Sequence, residues 1–463
     1  MTVSMESETN SEWSKISTQL VQDPANLKLW QQLIETAEFN NKQGITKSST
    51  PHQLQLLRVS YQELLKNFPL CFNYWIRYAA WEFKLGDSLK SIEIYQSALQ
   101  HLPFCIEVWI SYLQFRIDTL KDMSDLQEIL QLFEKARGLI GVHFHSFEFY
   151  KLYLTFLDSY QDDTNEFGKK YYVLLRVVLE IPLYHYEYFY KLWFDIVAKI
   201  GQDQEFADKV VPYIIPQLDH TNYKTISINL KKLFIDAYIT TQFKVYELYQ
   251  FEKKLSRQYY DDKFISRQQL DTWFQYLEFL DVKQYSFTLV ELTYHRFIHS
   301  TARYPDSWIK FADFYIFHER YNSARSALTR GVVYNGDYRI VLKLVDLEIF
   351  LKQYFRAREL IVNYIQYNVS VPIPIYEKLL NIERVFNTDD EYILQLFRQI
   401  ITQTQNDYFF SVLLNYSIDT TKLIDFVKSF EITGKFYTDA CIKLNINKPV
   451  VPSKDYDTIL NTY

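Results

Sequence analysis

His143 and His145 are the two side chains in this sequence whose spacing most resembles a pair of metal ligands. A zinc site needs three or four Cys, His or carboxylate ligands, and no Cys or carboxylate stands at metal-ligand spacing beside the two histidines. We therefore interpret both as residues at the start of a helix. We expect no metal and no other cofactor.

Residues for phosphate binding or catalysis do not form a complete set either. The nine glycines never take the spacing of a P-loop or of a dinucleotide-binding turn. Three lysine pairs stand beside acidic or apolar residues, which is typical of solvated helix faces: Lys169-Lys170, Lys231-Lys232 and Lys253-Lys254. The net charge of −6 offers no general electrostatic attraction for nucleic acid. We predict no nucleotide site and no catalytic residues, and an enzyme is the least favoured function class.

Glu82 is an acidic residue that the pattern places on a buried helix face. Trp75, Tyr78, Ala79 and Glu82 stand at i, i+3, i+4 and i+7, which is one face of one helix. A buried carboxylate needs a partner, and nothing nearby completes a catalytic site. We predict that Glu82 accepts hydrogen bonds from a neighbouring Tyr or Arg.

The three cysteines are too few and too far apart for a disulfide framework or a zinc site. Cys71 and Cys105 share one position in two copies of a repeat, so we predict that both are small core residues. The segment Met1 to Glu12 lacks the basic start and apolar run of a secretory signal, and no later stretch reaches membrane-spanning length. We expect a soluble protein of a reducing, intracellular compartment.

The elements that position these residues follow from a repeat of 34 residues. Asn67-Phe68-Pro69-Leu70-Cys71 leads to Trp75-Ile76-Arg77-Tyr78, and His101-Leu102-Pro103-Phe104-Cys105 leads by the same gap to Trp109-Ile110-Ser111-Tyr112. Proline ends one helix, and the aromatic residues begin the buried face of the next. Only 9 Gly and 12 Pro occur beside 48% hydrophobic residues, which disfavours an all-β fold with many tight turns. Two helices in a period of this length are typical of an α-solenoid.

The repeat continues along most of the chain. Pro24 and Trp30 give a third copy of the Pro-Trp spacing, and residues 40 to 51 are interpreted as an inserted loop. The pattern weakens after Gly201, and Ile226 to Tyr259 are predicted to form one or two long helices. We assign the structural repeat motif to Trp30, Pro69, Trp75, Tyr78, Glu82, Pro103, Trp109, Tyr112, Tyr150, Tyr153, Trp273, Tyr276, Trp308 and Phe311.

The details of the repeat resemble one family. Trp-x2-Tyr with an acid at the end of the first helix, and Tyr or Ala-Arg in the second helix before a Pro, resemble the half-a-tetratricopeptide (HAT) repeat of RNA-processing scaffolds. Four longer phrases resemble the pre-mRNA-processing factor 39 family of splicing proteins, over residues 50 to 385: Phe68-Pro69-Leu70-Cys71 before Tyr74-Trp75, Gly141-Val142-His143-Phe144, Ile181-Pro182-Leu183-Tyr184, and Asp271-x-Trp273-x2-Tyr276. Tyr150 and Tyr184 replace the usual Trp and His of the family. The fungal lineage of the family has two paralogues that pair with each other, and the residues leave open which one this is.

The resemblance implies an all-α fold, an α-solenoid of HAT helix pairs in two arms. It predicts an N-terminal HAT-repeat arm at residues 1–200, a connecting helical region at 201–269, a C-terminal arm with the dimerisation surface at 270–445, and a tail at 446–463. Family members dimerise through their C-terminal repeats, so a homodimer or a heterodimer with a HAT-repeat paralogue is expected. The residues assigned to that surface are Tyr376, Leu379, Glu383, Leu396 and Phe397.

The function that the resemblance implies is that of a nuclear scaffold subunit of the U1 small nuclear ribonucleoprotein. Such a subunit acts in 5′ splice-site recognition by bridging other U1 particle proteins, and it contacts the small nuclear RNA mainly indirectly. The alternative is a HAT-repeat scaffold of another RNA-processing complex, such as the one for mRNA 3′-end cleavage.

Overall fold

The computed structural model describes residues 2–40, 43–162, 166–215, 222–387, 389–430, 432 and 434–446. Apart from one antiparallel hairpin of two two-residue strands, the regular secondary structure of these residues is helical. The prediction of an all-α fold from helix pairs is confirmed. Residues 447–463 of the predicted tail lie outside the described residues.

The chain forms two compact units, Met1–Thr301 and Ala302–Tyr463. The predicted segment boundaries after residues 200 and 269 lie inside the first unit. The described elements of this unit are α1 (Thr2–Gln22), α2 (Leu27–Glu38), β1 (Phe39–Asn40), β2 (Gln43–Gly44), α3 (Pro51–Asn67), α4 (Phe72–Leu85), α5 (Ser88–His101), α6 (Ile106–Asp118), α7 (Met123–Ile140), α8 (Phe147–Ser159), α9 (Phe167–Val178), α10 (Tyr186–Ile200), α11 (Gln204–Ile214), α12 (Tyr223–Glu252), α13 (Arg267–Val282) and α14 (Phe287–Thr301).

The second unit is helical in all its described elements. These are α15 (Pro305–Phe317), α16 (Tyr321–Asn335), α17 (Tyr338–Phe350), α18 (Tyr354–Tyr367), α19 (Ile373–Phe386), α20 (Asp390–Thr404), α21 (Tyr408–Leu413), α22 (Thr420–Lys428) and α23 (Lys435–Lys443).

Helices within each unit pack mainly on close neighbours in the sequence. Consecutive helices contact each other, as α4 and α5 do in the first unit and α15 and α16 in the second. Alternate helices also contact each other, as in α4 with α6, α6 with α8 and α17 with α19. These two kinds of contact are those of stacked helix-pair repeats.

The start of α3 shows how the sequence sets a helix boundary after the predicted inserted loop. The Thr50 side chain accepts a hydrogen bond from the Gln53 backbone N–H, and the Gln53 side chain accepts one from the Thr50 N–H at 3.1 Å. Such a reciprocal capping box satisfies two N–H groups that the first turn leaves free. Pro51 follows at the first helical position, where its missing N–H costs nothing.

Helix α12 is one uninterrupted helix of 30 residues. The predicted stretch from Ile226 to Tyr259 is therefore too long at its C-terminal end, because the helix stops at Glu252. No Gly or Pro lies there to end it. Leu255 and Ile265 are instead buried in the segment that follows, so tertiary packing ends this helix.

Candidate functional site

The predicted His143 and His145 lie in the turn between α7 and α8. Their rings are 5.8 Å apart, and His143 Nδ1 accepts a hydrogen bond of 3.0 Å from the His145 backbone N–H. Burial, helped by the positive charge of Arg296, holds the pKa of His143 well below its ordinary value. In the part of the chain that the structure describes, no three His, Cys, Asp or Glu side chains form a group that could hold a metal ion.

Tryptophan side chains fasten the helix starts at four of the predicted motif positions. In each case the indole Nε1–H donates to the carbonyl six residues earlier. The pairs are Trp30 with Pro24 at 2.9 Å, Trp75 with Pro69 at 2.9 Å, Trp109 with Pro103 at 2.8 Å and Trp308 with Ala302 at 2.8 Å. The Pro-Trp spacing thus has a physical reason, since it places the proline carbonyl within reach of the buried indole.

Trp273, the remaining motif tryptophan, lacks this bond. Its indole nitrogen is buried and has no hydrogen-bond partner among the described residues, and the same holds for Trp193.

Tyr150 stands at the tryptophan position of its own repeat and is buried. A Cβ atom on Gly141 would lie 2.7 Å from the Tyr150 hydroxyl, so this close approach needs glycine in the phrase Gly141-Val142-His143.

Four of the five motif tyrosines stack on an aromatic ring of the preceding helix. The four stacked pairs, with their ring-centroid distances, are Tyr78 on Tyr61 at 4.9 Å, Tyr112 on Tyr95 at 5.1 Å, Tyr153 on Phe133 at 4.4 Å and Tyr276 on Phe251 at 5.1 Å. Phe311 of the second unit is buried and packs on Tyr315 of its own helix. Aromatic pairs of this kind stabilise the contact between two helices by about 0.5 to 1.5 kcal/mol beyond the area that they bury.

Glu82 accepts both of its strongest hydrogen bonds from Arg58, as the sequence predicted for a Tyr or Arg donor. Arg58 Nε and Nη2 each lie 2.8 Å from one Glu82 oxygen, and Lys90 Nζ lies 3.5 Å away. The Glu82 side chain is fully buried, whereas that of Arg58 is 33% exposed. Arg58 donates from α3 to the end of α4, so the ion pair joins two successive repeats.

The same ion pair recurs twice in the second unit. Arg325 of α16 donates to Glu348 of α17 at 2.6 and 2.9 Å. Arg358 of α18 is hydrogen-bonded to Glu383 of α19, which also accepts from Asn387 at 3.1 Å. Both glutamates are buried. The Ala-Arg marks of the sequence pattern are thus the donors for the acid in the next repeat.

Two further buried glutamates collect several donors in the first unit. Glu252, at the end of α12, accepts from Arg296 at 2.6 and 2.7 Å and from the Tyr276 hydroxyl at 2.9 Å. Burial alone would raise the pKa of Glu252, but the charge and hydrogen bonds of Arg296 hold it well below the ordinary value. Glu38, at the end of α2, is bonded to Tyr61, Arg77 and Trp81.

Sequence reasoning placed Glu82 on a buried face and marked the Ala-Arg donors of the second unit, but it missed Glu38, Glu252 and the donors of the first unit. Arg58 and Arg296 were not singled out, because each lies 24 or more residues from its glutamate in the sequence. For three of the buried acids, an arginine one helix earlier was a usable signal, since the spacings of these three Arg-Glu pairs are 24, 23 and 25 residues.

The predicted dimerisation residues lie in the C-terminal helices of the second unit. Tyr376, Leu379, Glu383 and Phe397 are buried within the chain's own core, and Leu396 is partly buried against it. Other apolar side chains of this unit are exposed, among them four at or near helix ends: Phe317, Phe350, Phe355 and Val385. The dimerisation surface stays a prediction, and a dimer built on this unit would meet the exposed set first.

Comparisons with known proteins agree with the repeat geometry. Residues 14–195 match the PRP39 N-terminal HAT repeat family, and residues 246–385 match the PRP39 C-terminal HAT repeat family. The chain belongs to the PRP39 family. The two matched ranges contain every residue of the structural repeat motif, including the four Trp-carbonyl bonds and the three Arg-Glu pairs.

Three relatives show how far the similarity extends. The chain is 27% identical over 415 residues to the U1 small nuclear ribonucleoprotein component PRP42 of Saccharomyces cerevisiae, which covers 86% of this chain and 72% of that protein. It is 23% identical over 326 residues to pre-mRNA-processing factor 39 of Schizosaccharomyces pombe, with 65% and 51% covered. It is 24% identical over 331 residues to pre-mRNA-processing factor 39 of Homo sapiens, with 65% and 47% covered. The chain thus spans about half the length of these two PRP39 relatives.

Proposed function

We propose that this protein is a scaffold subunit of the U1 small nuclear ribonucleoprotein and acts in pre-mRNA splicing. The observation that carries the proposal is the similarity over 86% of the chain to a protein named as a U1 component. The two PRP39 family matches support a splicing role independently of that one relative. A subunit of this kind works in the nucleus, in 5′ splice-site recognition.

The way in which the conspicuous side chains are used favours a structural role without catalysis. The motif tryptophans, tyrosines and glutamates each serve helix packing, through carbonyl bonds, ring stacks and Arg-Glu pairs. Cys71 and Cys105 are buried, and burial raises the pKa of both thiols, that of Cys71 to about 12. Neither is therefore a ready nucleophile. We propose that the protein bridges other proteins and catalyses no reaction.

Protein contacts are the proposed route into the particle. The net charge of −6 disfavours a sequence-independent grip on the RNA phosphates. The proposed partners are other U1 particle proteins, and the small nuclear RNA is contacted mainly through them. In the described residues, no helix is long and apolar enough to cross a membrane.

A dimer through the C-terminal repeats is part of the proposal, either with a second copy or with a HAT-repeat paralogue. We also propose that residues 1–200 and 270–445 act as two functional arms, which residues 201–269 connect. Support comes from the exposed apolar side chains at the helix ends of the second unit. Phe355 there lies beside the partly buried Phe386, with tilted rings whose centroids are 5.0 Å apart.

Affinity purification of the tagged chain from cells that produce it, with identification of RNA and protein, tests the proposal. Recovery of U1 small nuclear RNA together with U1 proteins is the expected result. Recovery of mRNA 3′-end cleavage factors without U1 RNA would contradict it and would support the alternative scaffold. The untagged strain is the matched control.

A further inference from the structure

Helix α12 is apolar on two opposite faces. One face is buried in the first unit by Leu230, Phe234, Val245 and Leu248. The other face exposes five apolar side chains, here called the α12 stripe: Ile228, Ile235, Ile239, Phe243 and Tyr246. Each residue of the stripe is between 44% and 68% exposed.

The α12 stripe runs straight along the helix. Successive members are seven, four, four and three residues apart, which returns each one to the same side of an α-helix. The stripe therefore extends for roughly 27 Å, or five helical turns. A helix whose only packing partner is its own unit would carry polar residues along this line.

Positive charge borders the stripe, although the whole chain is acidic. Between residues 224 and 247, four lysines occur with two acids, Asp236 and Glu247, and three of the lysines lie beside the N-terminal half of the stripe: Lys224, Lys231 and Lys232. Lys231 and Lys232 follow Ile228 by three and four residues, so Lys231 stands at one edge of the stripe and Lys232 stands between its apolar members. All four lysines are exposed, and within the described chain none of them lies at salt-bridge distance from a carboxylate.

We propose that the α12 stripe docks an amphipathic helix of a partner protein, with an apolar face and acidic flanks. Two helices in contact interdigitate side chains spaced by three, four and seven residues, which is the spacing that the stripe presents. Lys224, Lys231 and Lys232, at the N-terminal half of the stripe, complement acidic side chains of the partner helix and fix the register of the pair. Three of the five members are isoleucines, which offer no stacking surface for nucleic-acid bases. This docking site rests on the proposed bridging function, and it names the surface and the chemistry of one partner.

Site-specific photo-crosslinking in the native assembly tests the docking site. Phe243 is replaced by p-benzoyl-phenylalanine in the full chain, and the same amino acid at Leu89, which is 74% exposed on α5, serves as the control. The expected crosslink from position 243 joins one segment of another protein whose apolar residues recur with helical spacing and whose flanks are rich in Asp and Glu. Position 89 should not give that crosslink. A crosslink from position 243 to RNA, to lipid or to the chain itself, or none at all, would overturn the proposal.

A charge-reversal variant tests the acidic flanks separately. Lys231→Glu with Lys232→Glu should reduce the crosslink from position 243 by about fivefold or more, while the melting temperature stays unchanged because both side chains are exposed. An unchanged crosslink yield would contradict the charged part of the site. If the chain lacks U1 RNA and U1 proteins but still crosslinks to an acidic amphipathic helix, the proposed function fails and the docking site stands. If U1 components are present and the crosslink is absent, the docking site fails and the proposed function stands.

Discussion

The indole nitrogens of Trp109 and Trp273 are both buried, but only that of Trp109 has an acceptor, the Pro103 carbonyl. Replacement by Phe removes the N–H and leaves a similar small void in both cases. Trp109→Phe should therefore destabilise the protein by about 1 kcal/mol more than Trp273→Phe, because it also leaves a carbonyl without its donor. Chemical denaturation of the two variants measures this difference. Equal losses of unfolding free energy would show that the Pro-Trp bond contributes nothing.

Arg58 and Glu82 provide a second prediction for single residues. Arg58→Met leaves the fully buried Glu82 carboxylate with Lys90 alone, at 3.5 Å, and should cost about 2 to 4 kcal/mol of unfolding free energy. Glu82→Gln should cost less, because the partly exposed Arg58 can turn to water. Denaturant melts of both variants give the comparison.

The control for that comparison is an ion pair on the surface. Glu148 and Lys151 are 3.9 Å apart and largely exposed, so Glu148→Gln should change the stability by no more than about 0.5 kcal/mol. An Arg58→Met loss as small as that of this control would contradict the structural importance of the repeat-to-repeat ion pair.

At these positions the sequence predicts which side chains are buried better than it predicts the residues that bond to them. Trp75, Tyr78 and Glu82 follow from helical spacing, which is a property of neighbouring residues. The donor Arg58 comes from the preceding helix, and the distance between the two depends on how helices pack. Spacing alone could not identify it, whereas recurrence of the Arg-Glu interval along the chain could have done so.

Among the elements, the turn between α7 and α8 gives the protein a pH-dependent stability. The folded pKa of His143 is well below the value of about 6.5 expected in the unfolded chain. The contribution of the neutral His143 to the free energy of unfolding is therefore complete above pH 6.5. It is lost as the pH falls, because His143 of the unfolded chain then takes up a proton.

His143→Asn isolates this effect, because the Asn side-chain oxygen can still accept the hydrogen bond from the His145 N–H while the side chain no longer titrates. The unfolding free energies of wild type and variant should differ less at pH 5.5 than at pH 7.5, because only the wild type loses the contribution of His143 as the pH falls. The charged and titratable groups that influence the His143 ring are the same in both proteins: His145, Glu252, Arg296 and His299. Parallel pH profiles would exclude His143 as the source.

Element boundaries show where sequence reasoning stops. The starts of α4 and α6 follow from the Pro-Trp phrases, since proline and the indole-carbonyl bond are local features. The end of α12 at Glu252 does not, because burial of Leu255 and Ile265 decides it. The apolar stripe on the exposed side of α12 was also hidden, since a helix with two apolar faces has no clear periodicity to indicate which one is buried.

For the whole molecule, the oligomeric state is the next prediction. Purified protein should sediment as a dimer at micromolar concentration, alone or with its HAT-repeat paralogue. Phe350→Asp with Phe355→Asp should convert it to a monomer, since both side chains are exposed on the second unit. Leu89→Asp is the control, because Leu89 is equally exposed but lies in the first unit. Wild-type protein that stays monomeric with the paralogue present would contradict the dimer.

The proposed role in the U1 particle rests on similarity more than on geometry. Repeat spacing predicts the all-α fold and its helix pairs, and the phrases around Pro69, Pro182 and Trp273 predict the family that the comparisons show. No physical property of a helix pair specifies which particle it joins. The partner surfaces depend on exposed side chains, such as those of α12, whose positions emerge only when the helices are packed.

Removal of RNA from the purified assembly tests the bridging role most directly. The tagged chain is isolated with the components that copurify with it, and half of the sample is treated with ribonuclease before washing. If the protein enters the particle through protein contacts, its U1 protein partners stay bound after the RNA has been digested. Loss of every U1 protein after digestion, or tight and salt-resistant binding of the isolated chain to naked U1 RNA, would contradict that role.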